Sequence, residues 1–144
     1  KSITVSMALS LAIDFGEKRT GIAVSDPLQI IANGLKTVET AHLNQFLDTY
    51  IAKEPIERII VGFPKTLQNE PAVITPKITP FVTKLQQRFP AIAIELVDER
   101  FTSKMAFQAM IDGGLKKKAR QNKNLVDQVS ATIILQEYLE SKHK

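Results

Sequence analysis

Chemistry in this 144-residue chain must come mainly from carboxylates and amines. It has no cysteine and two histidines, His42 and His143, one near a helix start and one in the C-terminal tail. Disulfides and zinc–thiolate sites are therefore excluded, and a metal would be held by oxygen, as magnesium and manganese are. Three acidic positions stand out. Asp14 follows the apolar run MALSLAI and precedes Phe15-Gly16, and Asp98-Glu99 closes a second run, IAIELV. Asp127 heads a column at helical spacing through Ala131, Ile134 and Tyr138; that column is apolar, so it aims Asp127 at the core. A buried carboxylate without a partner is costly, so each must be paired, solvated at a strand tip, or holding a cation. Carboxylates that converge repel one another, and a hard divalent cation resolves the repulsion. Two such cations, ~3.5–4 Å apart, activate a water and stabilise a leaving oxygen at phosphorus. That chemistry is phosphodiester hydrolysis.

The distribution of charge points the same way. Net charge is +4, and Lys116, Lys117, Lys118, Arg120 and Lys123 lie close together without an acid among them. The rest of the chain is slightly negative, so the basicity is a local patch suited to a polyanionic backbone. Lys18, Arg19 and Arg100 sit beside the acids and could position a scissile strand. Each feature also has a plainer reading. Asp14 could accept backbone N–H bonds in the turn that Gly16 begins. Glu99 could pair with Arg100 or Lys104 at the surface, Asp127 could complement a helix dipole, and the lysines could form a solvated loop. Agreement among the parts favours the catalytic reading.

The elements that must position these residues read as three strands, helix, strand, helix, strand, helix, helix. Met7–Ile13, Gly21–Ser25 and Ile30–Val38 form an antiparallel meander with Asp26-Pro27 as a turn. Ala41–Lys53 has helical spacing and ends at Pro55. Arg58–Gly62 is a buried strand, followed by a proline-rich loop. Ile78–Phe89 is a helix with Pro80 in its first turn, and Ile92–Val97 is a strand. Thr102 caps a helix that Gly113-Gly114 stops, and the last helix runs from about Leu125 to Glu140. A meander followed by βα units gives an α/β mixed sheet with helices on its faces. Length and the lack of a boundary suggest a single domain over 1–144. No apolar run approaches the ~18 residues of a membrane span, and KSITVSM does not read as a secretion signal, so a cytoplasmic location is expected. Ligands in such sheets bind beyond the carboxyl ends of the strands. If the strands ending at Asp14 and at Asp98-Glu99 are parallel neighbours, their carboxylates meet at one edge.

The segments LAIDFGEKRTGIAVSDPL, IIVGFPKTLQNE, VDERFTS and KKKARQNKNLVDQVSATIILQEYLE resemble, in order, the YqgF family. These RNase H-like proteins are described as Holliday-junction resolvases and as nucleases of precursor small-subunit rRNA, and the resemblance runs from about Leu9 to Leu139. It implies an RNase H-like five-stranded mixed sheet, the first three strands antiparallel, with helices on both faces and the Asp14 strand beside the one ending at Asp98-Glu99. It implies catalytic acids at Asp14 in the D-x-G turn, at Glu99 in V-D-E-R with Asp98 beside it, and at Asp127 in the last helix. Strand alternation puts Asp98 and Glu99 on opposite faces, and Glu99 is the preferred ligand. The loop Lys65–Glu70 lacks the glycine usual there, and Ser130-Ala131 stands where paired alanines are common.

The expected activity is therefore magnesium- or manganese-dependent cleavage of nucleic acid: processing of the pre-16S rRNA 5′ end, of branched DNA, or both, by a monomer or homodimer. Two alternatives remain. One is a non-catalytic RNA-binding module using the lysine patch, although carboxylates near a polyanion weaken binding unless a metal intervenes. The other is an ATP-binding domain, because IDFGEKRTGIAV also resembles the first phosphate loop of the actin, Hsp70 and sugar-kinase superfamily. Those proteins close two domains over the nucleotide, and a second phosphate loop is missing here. A protein-kinase reading of Asp14-Phe15-Gly16 fails for want of the accompanying loops.

Overall fold

The strand signals of the sequence become one five-stranded sheet in order β3-β2-β1-β4-β5 in a computed structural model of the chain. It describes residues 8–63, 75–98 and 123–142. The strands are β1 (Leu9–Asp14), β2 (Arg19–Ser25), β3 (Ala32–Glu39), β4 (Ile56–Phe63) and β5 (Ala93–Asp98). Strands β1, β2 and β3 form the expected antiparallel meander, and β4 and β5 join in parallel. The helices are α1 (Leu43–Lys53), entered through a 3-10 turn at Thr40–His42, α2 (Thr75–Arg88) and α3 (Lys123–Lys142). The helix expected after Thr102 lies outside the described residues.

Side-chain alternation divides the core between the two faces of the sheet. Leu11, Ile13, Ile22, Ile59 and Val61 pack with Leu43 and Leu47 of α1 and with Ile78, Phe81 and Leu85 of α2. Ala12, Ala23, Ala32 and Ile60 point the other way, against Ala131, Ile134, Leu135 and Leu139 of α3. Alanines on this second face let α3 approach closely. The sheet is thus mixed and covered by helices on both faces.

Two expectations need correction. The strand ending at Asp98 is not the neighbour of β1: β4 lies between them, pairing Asp14 with Gly62 and Phe63 with Asp98. One side of β1 is taken by β2, so the first parallel crossover fills the other side and β5 must add outside it. Ile59, Ile60 and Val61 are all fully buried, as a central strand with helices on both faces requires. The second correction concerns Pro80. Because α2 begins at Thr75, Pro80 lies inside the helix rather than in its first turn, where it removes one backbone hydrogen bond.

Candidate active site

Asp14 is the last residue of β1 and is partly buried. It shares the alternation of Ala12, whose side chain packs in the α3 cluster, so Asp14 belongs to the α3 face at the carboxyl end of the strand. Phe15 turns to the opposite face, is buried, and stacks on Phe81 with ring centroids 4.9 Å apart. The turn that follows is tied down by Thr40. Its hydroxyl donates to the Gly16 carbonyl at 2.7 Å and shares a hydrogen bond with the Thr20 hydroxyl at 2.9 Å. Its N–H donates to the Lys18 carbonyl at 2.9 Å. Lys18 itself is exposed beside this turn.

Gly21 lets the backbone of Asp127 rest on β2. Gly21 is the cross-strand partner of Asp14, and directly opposed residues have neighbouring side-chain positions. A Cβ placed on Gly21 would lie 2.0 Å from the Asp127 carbonyl oxygen and 2.4 Å from its carbon. The backbone of α3 at Asp127 and Gln128 therefore sits on the bare backbone of the residue opposite Asp14. Arg19, two residues back on the same face of β2, donates from Nε to Asp127 Oδ2 at 3.1 Å. The inward aim expected for Asp127 is observed, and its guanidinium partner is an addition that spacing could not supply.

Further along α3, polar contacts hold the helix in register. Gln136 accepts from the Ala32 N–H at 2.8 Å and donates to the Ile30 carbonyl at 3.0 Å. The Tyr138 hydroxyl donates to Glu95 Oε2 at 2.6 Å, and Arg58 pairs with the same oxygen. The Tyr138 hydrogen bond, then Arg58, hold the Glu95 carboxyl below its usual range despite partial burial. Desolvation first, and then Glu95, push the Tyr138 phenol up to about 12. Burial is the largest influence on Arg58 and would lower its value, but the hydrogen bond to Glu95 together with the charges of Tyr138, Glu95 and Glu57 outweighs it, and the guanidinium is raised. Ser130, one turn beyond Asp127, is 1% exposed and its hydroxyl has no hydrogen-bond partner among the described residues.

The donors at this corner are carboxylate oxygens, which suit a hard divalent cation. Among the described residues no three His, Cys, Asp or Glu side chains group as a metal site. Glu99, Arg100, Lys116, Lys117, Lys118 and Arg120 lie outside the described residues. Asp98 ends β5 and Lys123 begins α3. Val97 packs against the α3 cluster, in register with Gly62 and so with Asp14. Gly21, Thr40 and Ser130 were not anticipated. Gly21 could have been: with Ala12 and Ala23 it makes a small-residue surface readable from strand alternation.

Comparisons with known proteins follow this geometry. The model of the family described as "RuvX: Holliday junction resolvase" matches residues 8–141. A protein of Phocaeicola vulgatus named "Putative pre-16S rRNA nuclease" is 62% identical over 136 residues, covering 94% of this chain and 98% of that one. One of the same name from Flavobacterium psychrophilum is 58% identical over 132 residues, covering 92% and 96%. Among solved structures, Thermus thermophilus RuvC in complex with a Holliday junction substrate is similar at a TM-score of 0.55 and 17% identity, covering 94% of this chain and 96% of that one. This likeness places the fold as RNase H-like. Among the described residues no helix is long and apolar enough to cross a membrane.

Proposed function

The chain belongs to the RuvX family of Holliday junction resolvases, and from that premise we propose that it is a metal-dependent nuclease whose substrate is precursor 16S rRNA. The observation that carries the proposal is the seating of Asp127 on Gly21, the cross-strand partner of Asp14, which supports reading the two carboxylates as partners at the carboxyl end of the sheet. The choice of RNA rests on the names of relatives such as the Phocaeicola vulgatus protein, 62% identical. Branched DNA is the second reading, favoured by the family's description.

Asp14, Asp127 and Glu99 hold magnesium or manganese. Glu99 is preferred over Asp98 as the second acid of the V-D-E-R motif, by the family resemblance. The bound cation supplies an activated water and neutralises charge developing at phosphorus. The protein's own part is to fix its carboxylates in advance, through the Thr40-anchored turn and the Gly21 contact, so that little reorganisation accompanies the reaction. Lys18, Arg100, Lys116, Lys117, Lys118, Arg120 and Lys123 hold the phosphate backbone, whose contacts fix register without reading sequence. We place the protein in the cytoplasm, as a monomer or homodimer. The rival ATP-binding and purely RNA-binding readings gain no support from the relatives.

The test incubates the protein and its Asp14→Asn variant with Mg²⁺ or Mn²⁺ and three labelled substrates: a precursor 16S rRNA end, a single-stranded RNA and a four-way DNA junction. Metal-dependent cleavage of the precursor, lost in the variant while binding persists, is expected. Preference for the junction would move the substrate to DNA. Undiminished cleavage by Asp14→Asn would remove Asp14 from the site.

A further inference from the structure

Arg19 faces two demands at once. Its Nε donates to Asp127 Oδ2 at 3.1 Å, and both side chains keep access to solvent, 35% and 25% exposed. The pair is part-buried rather than sealed from solvent, so a competing cation can reach it. Arg19 shares its face of β2 with Ala23 and with Gly21, the cross-strand partner of Asp14, so it stands on the α3 face near the strand end that carries Asp14. A divalent cation drawn to Asp127 would compete with the guanidinium, because two positive groups at contact distance repel and the carboxylate has few lone pairs. A guanidinium released there would meet phosphate oxygens, which its planar fork matches better than an ammonium does.

We propose that Arg19 is a shared counter-ion that couples metal loading to nucleic-acid binding. It holds Asp127 when no cation is bound, yields that carboxylate to the cation, and closes on a phosphate of the bound strand. This rests on Asp14 and Asp127 being metal ligands. Coupling of this type is reciprocal: the factor by which metal tightens nucleic-acid binding is the factor by which nucleic acid tightens metal binding. Arg19 thereby makes the protein favour substrate and metal together over either alone.

The experiment compares the wild type with Arg19→Gln and Arg19→Lys at constant ionic strength. Mn²⁺ and Ca²⁺ are titrated by calorimetry without nucleic acid. Binding of a fluorescein-labelled single-stranded RNA is then followed by anisotropy with and without Ca²⁺. Arg19→Gln, relieved of the competing charge, is expected to bind the cations about threefold to tenfold more tightly than wild type. It should also lose most of the Ca²⁺-dependent gain in RNA affinity, which is expected to be about tenfold in the wild type. Arg19→Lys keeps the charge and should retain near-wild-type cation affinity with part of the coupling. If Arg19→Gln keeps a native circular dichroism spectrum but binds cations equally or more weakly, Arg19 is only a strut for the helix start and the proposal is overturned. If the wild type binds neither cation, the metal site itself is wrong and the coupling falls with it.

Discussion

Gly21→Ala puts the packing of the site under the sharpest strain. The added methyl would lie 2.0 Å from the Asp127 carbonyl oxygen, 2.4 Å from its carbon and 3.0 Å from the Gln128 nitrogen. All three are backbone atoms, so no side-chain rotation relieves the clash. Cβ contacts under 3.0 Å essentially never occur, so the start of α3 must retreat by about 1 Å. Overpacking of this kind costs ~1–3 kcal/mol, offset by the ~0.4–1 kcal/mol that Gly→Ala gains by restricting the unfolded chain. A net loss of roughly 1–2 kcal/mol is expected in urea titration. The effect on cleavage should be larger, because a displacement of about 1 Å at a reacting group can cost ~100-fold in rate. Gly34→Ala is the internal control. Its methyl would meet the Gln128 side chain, Nε2 at 2.8 Å and Cγ at 3.0 Å, and Thr132 Oγ1 at 3.1 Å. Flexible side chains can yield, so Gly34→Ala should be milder in both assays. Wild-type stability and cleavage rate in Gly21→Ala, or equal losses in the two variants, would refute the claim that Gly21 sets the position of Asp127.

Ser130→Ala replaces a buried hydroxyl that has no hydrogen-bond partner among the described residues with a methyl of better helix propensity, and should stabilise the protein by about 1 kcal/mol; destabilisation in a urea titration would mean that the hydroxyl has a partner in solution. Tyr138→Phe removes the 2.6 Å hydrogen bond to Glu95. The folded-state phenol is raised from 10.0 to about 12, so its contribution is fully present below the unfolded value and is lost as pH climbs from 10 toward 12. Stability measured across that window should fall more steeply for wild type than for Tyr138→Phe, and parallel curves would contradict this. At the acid end the depressed Glu95 carboxyl works the opposite way: its contribution is present above the unfolded value and is lost as pH falls through the lower folded one.

Much of the fold was legible because local patterns agreed with tertiary demands. The three early strands, the helix ending before Pro55 and the last helix all carry the period that their burial requires. Asp14 was legible as a strand-end carboxylate, and Asp127 as the head of an apolar column. Strand order was less so. The unbroken IIV of β4 marks a strand buried on both faces, yet that run does not name its neighbours, and the adjacency inferred for Asp14 and Asp98-Glu99 overlooked it. The Arg19–Asp127 pair joins residues 108 positions apart, and no local pattern encodes such a meeting. Pro80 was misplaced for a simple reason: helical hydrophobic spacing begins at Ile78, whereas the backbone enters the helix at Thr75, before any apolar periodicity starts.

The most direct test of the site is to locate a metal in it. Crystals grown with Mn²⁺ and measured for anomalous scattering should show a peak about 2.1 Å from carboxylate oxygens of both Asp14 and Asp127. Manganese bound elsewhere, with those two carboxylates free of it, would contradict the assignment of this corner as the catalytic centre.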